Sequence, residues 1–141
     1  MPRATIRRMQ PEDKPRYPAL RIVLVVDATL LLALGVLLMA IPKQVEVAFH
    51  FTGLPEGVSY LVGLWGCLFI SVAVGCGIAA TDPVRHVAWV QSSIVRGALE
   101  CAFGLVCVSR GMVLWSQAGV GIVVAAIVTI AYLLLYPRGN Y

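Results

Sequence analysis

Charged residues are scarce in this chain, since Asp, Glu, Lys and Arg make up only 13% of its 141 residues. There are two histidines, and the four cysteines form no CxxC pair. Apolar residues reach 60% and the mean hydropathy is +0.87, far from the usual balance of soluble domains. These shortages exclude a soluble catalytic domain, because only a polar arm and short loops lie outside the apolar runs.

Four apolar runs are each long enough to cross a bilayer, whose core of about 30 Å takes roughly 20 helical residues. The runs are continuous, whereas barrel strands alternate over about ten residues, so helices are favoured. Proline, glycine or aspartate near the end of each run favours a turn there. The sequence predicts an all-α integral membrane protein with a four-transmembrane-helix bundle, its spans at about residues 22–41, 59–80, 84–108 and 118–136.

Basic residues outside the spans are unevenly distributed. Lys43 lies in the first loop and Arg110 in the third, whereas eight lie at the termini or in the second loop: Arg3, Arg7, Arg8, Lys14, Arg16, Arg21, Arg85 and Arg138. The positive-inside rule therefore predicts an N-in/C-in topology with both termini cytoplasmic. The first span is too long for a cleaved signal peptide and starts too far into the chain. The size and short loops favour a bacterial inner membrane.

The segments outside the spans have simple expected roles. Residues 1–21 form a basic, proline-containing arm ahead of the helical domain at 22–141, and we expect it to be irregular and to serve orientation or contact anionic lipid. The first loop, 42–58, should lie along the membrane as a short amphipathic helix or an extended strip. No nucleic-acid partner is expected, because orientation explains the net charge of +4 and no binding motif accompanies it.

Small residues recur at three- or four-residue spacing on the last three spans. Such spacing lets helix backbones approach closely, either within the bundle or against another subunit. The residues are Ser71, Gly75 and Ala79, then Gly97, Cys101 and Gly104, then Gly121, Ala125 and Thr129.

Three ionisable residues, Asp27, Arg96 and Glu100, lie within the spans. Asp27 is about 7.5 Å into the first span and Arg96 about 14 Å into the third. Because helical side chains lean toward the N-terminus of their helix, Arg96 should lean toward Asp27, and Glu100 toward Arg96. These residues predict an intramembrane ion-pair cluster on an inward face, with Ser93 as candidate polar lining.

Three interpretations of this cluster remain open. A buried arginine without a carboxylate would cost several kcal/mol, so the cluster is first a structural device that fixes the inward face of the third helix. Alternatively, one carboxylate exchanges protons or contacts a polar ligand or a quinone headgroup. In the third interpretation, Arg96 or Glu100 meets the charge of a partner subunit.

Resident cofactors have little support in the sequence, and none is predicted. The cysteines lie within spans and are typical of small packing residues, whereas a DsbB-like thiol oxidoreductase needs cysteines accessible at the outer face. His50 and His86 are predicted on opposite sides of the membrane, so they cannot share a haem, and neither has a metal-binding spacing. Either could at most be a single axial ligand, and contact with quinone, haem or pigment would come through a partner complex.

A broader pattern extends over most of the chain. It comprises a first span with Gly35 that ends at Pro42, a glycine-rich second span, the segment at 82–86 with the sequence DPVRH, and a third span with Arg96-Gly97. This pattern resembles the DoxX-like group and related uncharacterised four-helix bacterial membrane proteins. Some DoxX-type proteins are subunits of quinol-linked respiratory complexes, so the resemblance implies an accessory subunit. The chain is also similar to small multidrug transporters in length and helix number, but it lacks their aromatic motifs.

Together these patterns predict a non-catalytic accessory or structural subunit rather than an enzyme. Its expected partners are membrane lipid and a larger membrane complex, such as a respiratory or other electron-transfer complex, or further copies of the chain. The alternative is a small proton-coupled carrier or quinone-binding membrane protein that uses Asp27 or Glu100.

Overall fold

The computed structural model describes residues 17–50, 53 and 55–137, and within these ranges the chain forms five α-helices and no strand. The all-α class is therefore confirmed. Four helices are long and apolar enough to cross a membrane, and the fifth is a short helix between the first two of them. The helices are α1 Pro18–Ala40, α2 Pro42–Ala48, α3 Glu56–Thr81, α4 Val87–Ser109 and α5 Trp115–Leu135. Most of the predicted basic arm, residues 1–16, lies outside the described residues.

The long helices do not begin where the hydropathy pattern placed them. α1, α3 and α5 start earlier than predicted, and α4 starts three residues later. Pro18 suits the first turn of α1, because its missing N–H would have no partner there in any case. Residues ahead of α4 form a turn, in which Asp82 Oδ1 accepts a hydrogen bond from the backbone N–H of Arg85 at 3.2 Å. The apolar run from Val84 is thus interrupted by local hydrogen bonding to aspartate.

The end of α4 agrees with the prediction to one residue. Gly111 follows the helix with φ of +68°, a conformation that glycine adopts without a steric penalty. Its N–H donates to the carbonyl of Val108 at 3.0 Å, and the N–H of Met112 donates to the carbonyl of Cys107 at 2.9 Å. This is the Schellman pattern, which satisfies the last carbonyls of the helix and turns the chain toward α5.

The first loop contains the short helix that was one of its two predicted forms. α2 spans Pro42–Ala48, and its Glu46 side chain accepts a hydrogen bond from Ser59 Oγ on α3 at 3.1 Å. Beyond α2, the carbonyl of His50 accepts a hydrogen bond from Gln117 Nε2 on α5 at 3.2 Å. The loop is therefore attached to two of the long helices.

The four long helices pack as two close pairs, α1 with α3 and α4 with α5. In the first pair, a Cβ added to Gly35 would lie 2.8 Å from the carbonyl oxygen of Gly66, and one added to Gly66 would lie 2.6 Å from that of Gly35. In the second pair, Gly97 lies directly against the Thr129 side chain. Small residues at both crossings let the backbones approach closely.

The small-residue stripes predicted from sequence are only partly packing surfaces. Gly104 faces Ile122 on α5, as expected, and Gly75 faces Trp89 on α4. Ser71 and Gly121, however, are exposed. Ser71 Oγ donates to the carbonyl of Cys67 one turn earlier, at 2.9 Å, so its polarity is satisfied within α3. The spacing identified the small residues without showing which of them meet another helix.

The two pairs join at one end of the bundle, called here the proximal end, where α1 and α4 begin and α3 and α5 finish. A core of fully buried residues lies there: Leu20, Leu24, Cys76, Ala79, Val90 and Tyr132. Tyr17 and Tyr136, at the two ends of the described chain, both pack against this core. Both ends of the helical domain therefore lie at the proximal end, as an even number of long antiparallel helices requires.

Arg21 strengthens the proximal end in a way the sequence did not indicate. It was assigned to the basic arm but lies in the first turn of α1. Its guanidinium donates hydrogen bonds to the carbonyls of Ala80, at 2.9 Å, and Thr81. These are terminal carbonyls of α3, where a cation is favourable because of the helix dipole. Arg21 thus connects the start of α1 to the end of α3.

Candidate functional site

Asp27 is only 4% exposed and contacts all three of the other long helices. Its two carboxylate oxygens each accept a hydrogen bond from Arg96 Nη2 on α4, both at 3.0 Å. Oδ2 also accepts from the Tyr132 hydroxyl on α5 at 2.9 Å, and Cys76 Sγ on α3 lies 3.9 Å from it. One buried carboxylate therefore joins the four long helices.

Helix geometry explains why Asp27 and Arg96 meet. Asp27 is nine residues beyond Pro18 and Arg96 is nine residues beyond Val87, so each lies about 14 Å from the proximal end. The sequence placed Asp27 only about 7.5 Å deep, because it started the first helix at residue 22. With the corrected start, both residues lie the same number of residues from the ends of their helices, and their side chains meet at 3.0 Å.

Glu100 completes the predicted cluster but is held far less closely. Its Oε1 lies 3.8 Å from Arg96 Nη1, and its side chain is 41% exposed, compared with 5% for the side chain of Asp27. Arg96 Nε is buried and has no hydrogen-bond partner among the described residues. The structure therefore brings the three charged residues together, with one tight ion pair and one long one.

Ser93, the candidate polar lining, lies on the inward face of α4, as predicted. It is 2% exposed, and its Oγ lies 3.4 Å from Cys76 Sγ in the proximal core. The serine sits one turn before Arg96 on the same side of α4, and this side packs against α3. Ser93 therefore belongs to the buried polar network around Asp27.

A cleft of about 350 Å³ opens between the helix pairs, on the side of Asp27 away from the proximal end. Asp27, Arg96 and Glu100 form its floor. One wall comes from the first pair, including Leu34 and Phe69, and the other from α4 and α5. The α4–α5 wall includes Gly97, Phe103, Gly104, Ala118, Gly121 and Val128. The site is thus an apolar cleft with a charged floor.

Sequence reasoning missed Tyr132 and Cys76, the two uncharged side chains that contact Asp27. In the predicted span 118–136, Tyr132 lies four residues from the end, further inside than the tyrosines near the other span ends, and a buried phenol needs a hydrogen-bond partner. That requirement was the available signal for Tyr132. Cys76 carried no comparable signal, because it resembles the other three cysteines, all of which are free.

The two histidines lie at opposite ends of the bundle and away from the Asp27 cluster. His86 precedes α4 at the proximal end, and its Nδ1 lies 3.1 Å from the carbonyl oxygen of Asp82. His50 is exposed at the other end, with φ of 62°. Among the described residues, no group of three His, Cys, Asp or Glu side chains is arranged to hold a metal ion.

No protein-family model, curated protein or solved structure matches this chain. The resemblances to the DoxX-like group and to small multidrug transporters therefore rest on residue pattern alone and stay predictions.

Proposed function

We propose that the chain is an integral membrane protein whose four long helices span the bilayer. Long apolar helices with strongly exposed apolar side chains support this, Phe103 being 70% exposed and Leu134 77% exposed. The buried charged groups also support it, because they point toward one another between the helices, as polar groups in a bilayer do. With both helical ends proximal, the basic-residue bias favours N-in/C-in topology in a bacterial inner membrane.

Within that membrane, the chain acts as a non-catalytic accessory subunit of a larger membrane assembly. This proposal rests on one observation: the two carboxylates, Asp27 and Glu100, differ in burial and in the contacts they make. Asp27 accepts three hydrogen bonds from Arg96 and Tyr132 and is almost fully buried, which suits a structural role. Glu100 lies deep along α4 with much of its side chain exposed. A carboxylate at such depth in a bilayer requires a polar or charged contact from outside the bundle.

The test is purification of the native chain in mild detergent. We expect it to elute with other membrane proteins, in a complex well above its own mass of 15.2 kDa. Replacement of Glu100 by Gln should weaken this association, whereas Ser71→Ala, on an exposed part of α3, is the matched control. A monodisperse chain with no associated protein would contradict the proposal. The electron-transfer assemblies implied by the DoxX-like resemblance are the first partners to examine.

The cleft favours a second candidate, a small proton-coupled carrier or quinone-binding protein. Glu100, rather than Asp27, would be its working carboxylate, because Glu100 is the more exposed of the two. Reconstituted into liposomes with an internal pH dye, the chain should then move protons, and Glu100→Gln should abolish the movement. Unchanged proton movement in that variant would rule out this role for Glu100.

A further inference from the structure

Acidic groups outnumber basic groups on the floor of the cleft. Two carboxylates, Asp27 and Glu100, share a single guanidinium, Arg96, which leaves a net charge of −1 when all three are ionised. The only other charged residues of the four long helices are Arg21 and Glu56, which lie in the first turns of α1 and α3. Arg21 is engaged with the end of α3. The described helices therefore supply no second cation to the cleft.

Of the two carboxylates, Glu100 is the one without a close cationic partner, so it can pair with a cation from outside the chain. Arg96 holds Asp27 at 3.0 Å but lies 3.8 Å from Glu100 Oε1, so the guanidinium is committed mainly to Asp27. Glu100 lines the cleft, and its side chain is 41% exposed. An ionised carboxylate in this position attracts a positive charge, and the attraction strengthens as water is excluded.

The walls of the cleft indicate the size and polarity of the ligand that fits beside Glu100. They are mostly aliphatic or glycine, so they suit an apolar body. Phe69 and Phe103 add aromatic rings, whose faces attract cations. A volume of about 350 Å³ falls at the small end of ligand sites, which span about 300–1,000 Å³.

We propose that this cleft binds a small organic monocation, an ammonium group on an apolar body, with the ammonium paired to Glu100. The inference rests on the proposed membrane insertion, because a half-exposed carboxylate needs a counter-charge only where water is scarce. It does not depend on the proposed accessory role. The Asp27–Arg96 pair forms the floor beneath the ligand and positions Glu100 without exchanging partners.

The test measures binding of tritiated phenyltrimethylammonium to the full chain in lipid nanodiscs by equilibrium dialysis. We expect saturable binding of one cation per chain. The uncharged isostere tert-butylbenzene should not compete at equal concentration. Glu100→Gln should weaken the affinity at least about tenfold, because loss of one partner of a buried charge pair costs this much or more.

A second variant fills the cleft without touching a charge. Gly121 lines the cleft, and a Cβ added there meets no atom within 4 Å, so Gly121→Leu should fold and occupy the space. Gly63 is equally open but does not line the cleft, which makes Gly63→Leu the matched control. Loss of binding in Gly121→Leu with retention in Gly63→Leu supports the site.

Three outcomes overturn the proposal: no saturable binding, equal competition by tert-butylbenzene, or unchanged binding in both Glu100→Gln and Gly121→Leu. The results also separate this inference from the proposed function. A chain that enters nanodiscs and purifies with partner proteins, yet binds no phenyltrimethylammonium, keeps its accessory role and loses only the cation site. A chain that does not enter nanodiscs contradicts membrane insertion, and the cation site with it.

Discussion

The Asp27–Arg96 contact shows how a buried charge is tolerated at the scale of single residues. Taking both ions out of water costs several kcal/mol each, and only good geometry and further hydrogen bonds offset that cost. Here the pairing has two 3.0 Å hydrogen bonds, and the Tyr132 hydroxyl adds a third to the carboxylate. These contacts therefore offset the desolvation cost while both partners are present. If one partner is removed alone, the other keeps a buried charge without that compensation.

Asp27→Leu should destabilise the fold by about 3–5 kcal/mol, because Arg96 would keep its buried charge and lose its close partner. The double variant Asp27→Leu/Arg96→Leu should cost clearly less than this single change. Unfolding in mixed micelles, followed by tryptophan fluorescence, gives both free energies. Arg96→Leu alone completes the comparison. A loss in the double variant equal to the sum of the two single losses would show that the ion pair is not coupled.

Tyr132→Phe removes only the hydroxyl that donates to Asp27, and we expect a loss of about 1.5–3 kcal/mol, as for hydrogen bonds to charged groups. Tyr136→Phe is the control. Its hydroxyl accepts from Gln91 Nε2 at 2.7 Å at an exposed site, so its removal should cost about 1 kcal/mol or less. Thermal unfolding of both variants in one detergent makes the comparison. Equal losses would mean that the Asp27 contact has no special energetic role.

At the scale of helices, the α1–α3 crossing depends on having no side chain at two positions. Gly35→Ala should destabilise the fold by about 1–3 kcal/mol, because the new Cβ meets the Gly66 carbonyl and Ile70 Cγ1, both at 2.8 Å. Gly63→Ala, where a Cβ meets nothing within 4 Å, should be neutral or stabilise the fold slightly. Melting temperatures in detergent test the difference. A harmless Gly35→Ala would contradict the close crossing.

Helix existence was predictable from sequence, but helix contacts were not. Continuous apolar runs identified the four long helices, and Gly111 marked the end of α4, since both signals are local. The start of α1 was missed because its first turn holds Arg21, which hydropathy reads as loop although it bonds to the end of α3. Gly66 was overlooked as a crossing point because its partner is a distant glycine. Such features depend on which helix faces meet.

In the candidate site, too, some residues were predictable from sequence and others were not. Asp27, Arg96 and Glu100 were predictable, because charges within apolar runs must find one another. Tyr132 and Cys76 were not found, since an uncharged residue can be satisfied in many places. The cleft could not be foreseen either. It exists because the helix pairs share a core at the proximal end and lie apart beyond Asp27, and a hydropathy profile contains no such information.

For the whole molecule, the central prediction is orientation, and the two turns beside α4 offer probes of it. Val84 lies in the proximal turn and Met112 in the turn at the other end, and both side chains are exposed. Cysteines would be introduced at these positions one at a time. The background would carry alanine at the natural cysteines, Cys67, Cys76, Cys101 and Cys107.

With a membrane-impermeant maleimide applied to spheroplasts, Met112→Cys should react at once, and Val84→Cys only after permeabilisation. This follows because eight basic residues belong in sequence to the terminal segments or to the segment between α3 and α4, next to the helix ends that meet at the proximal end. Lys43 and Arg110, by contrast, lie at the other end. The reverse pattern would overturn N-in/C-in topology, and labelling of both sites in intact spheroplasts would indicate mixed orientation. The expected pattern would open the cleft toward the outer leaflet, where an organic cation could reach Glu100 without crossing the bilayer.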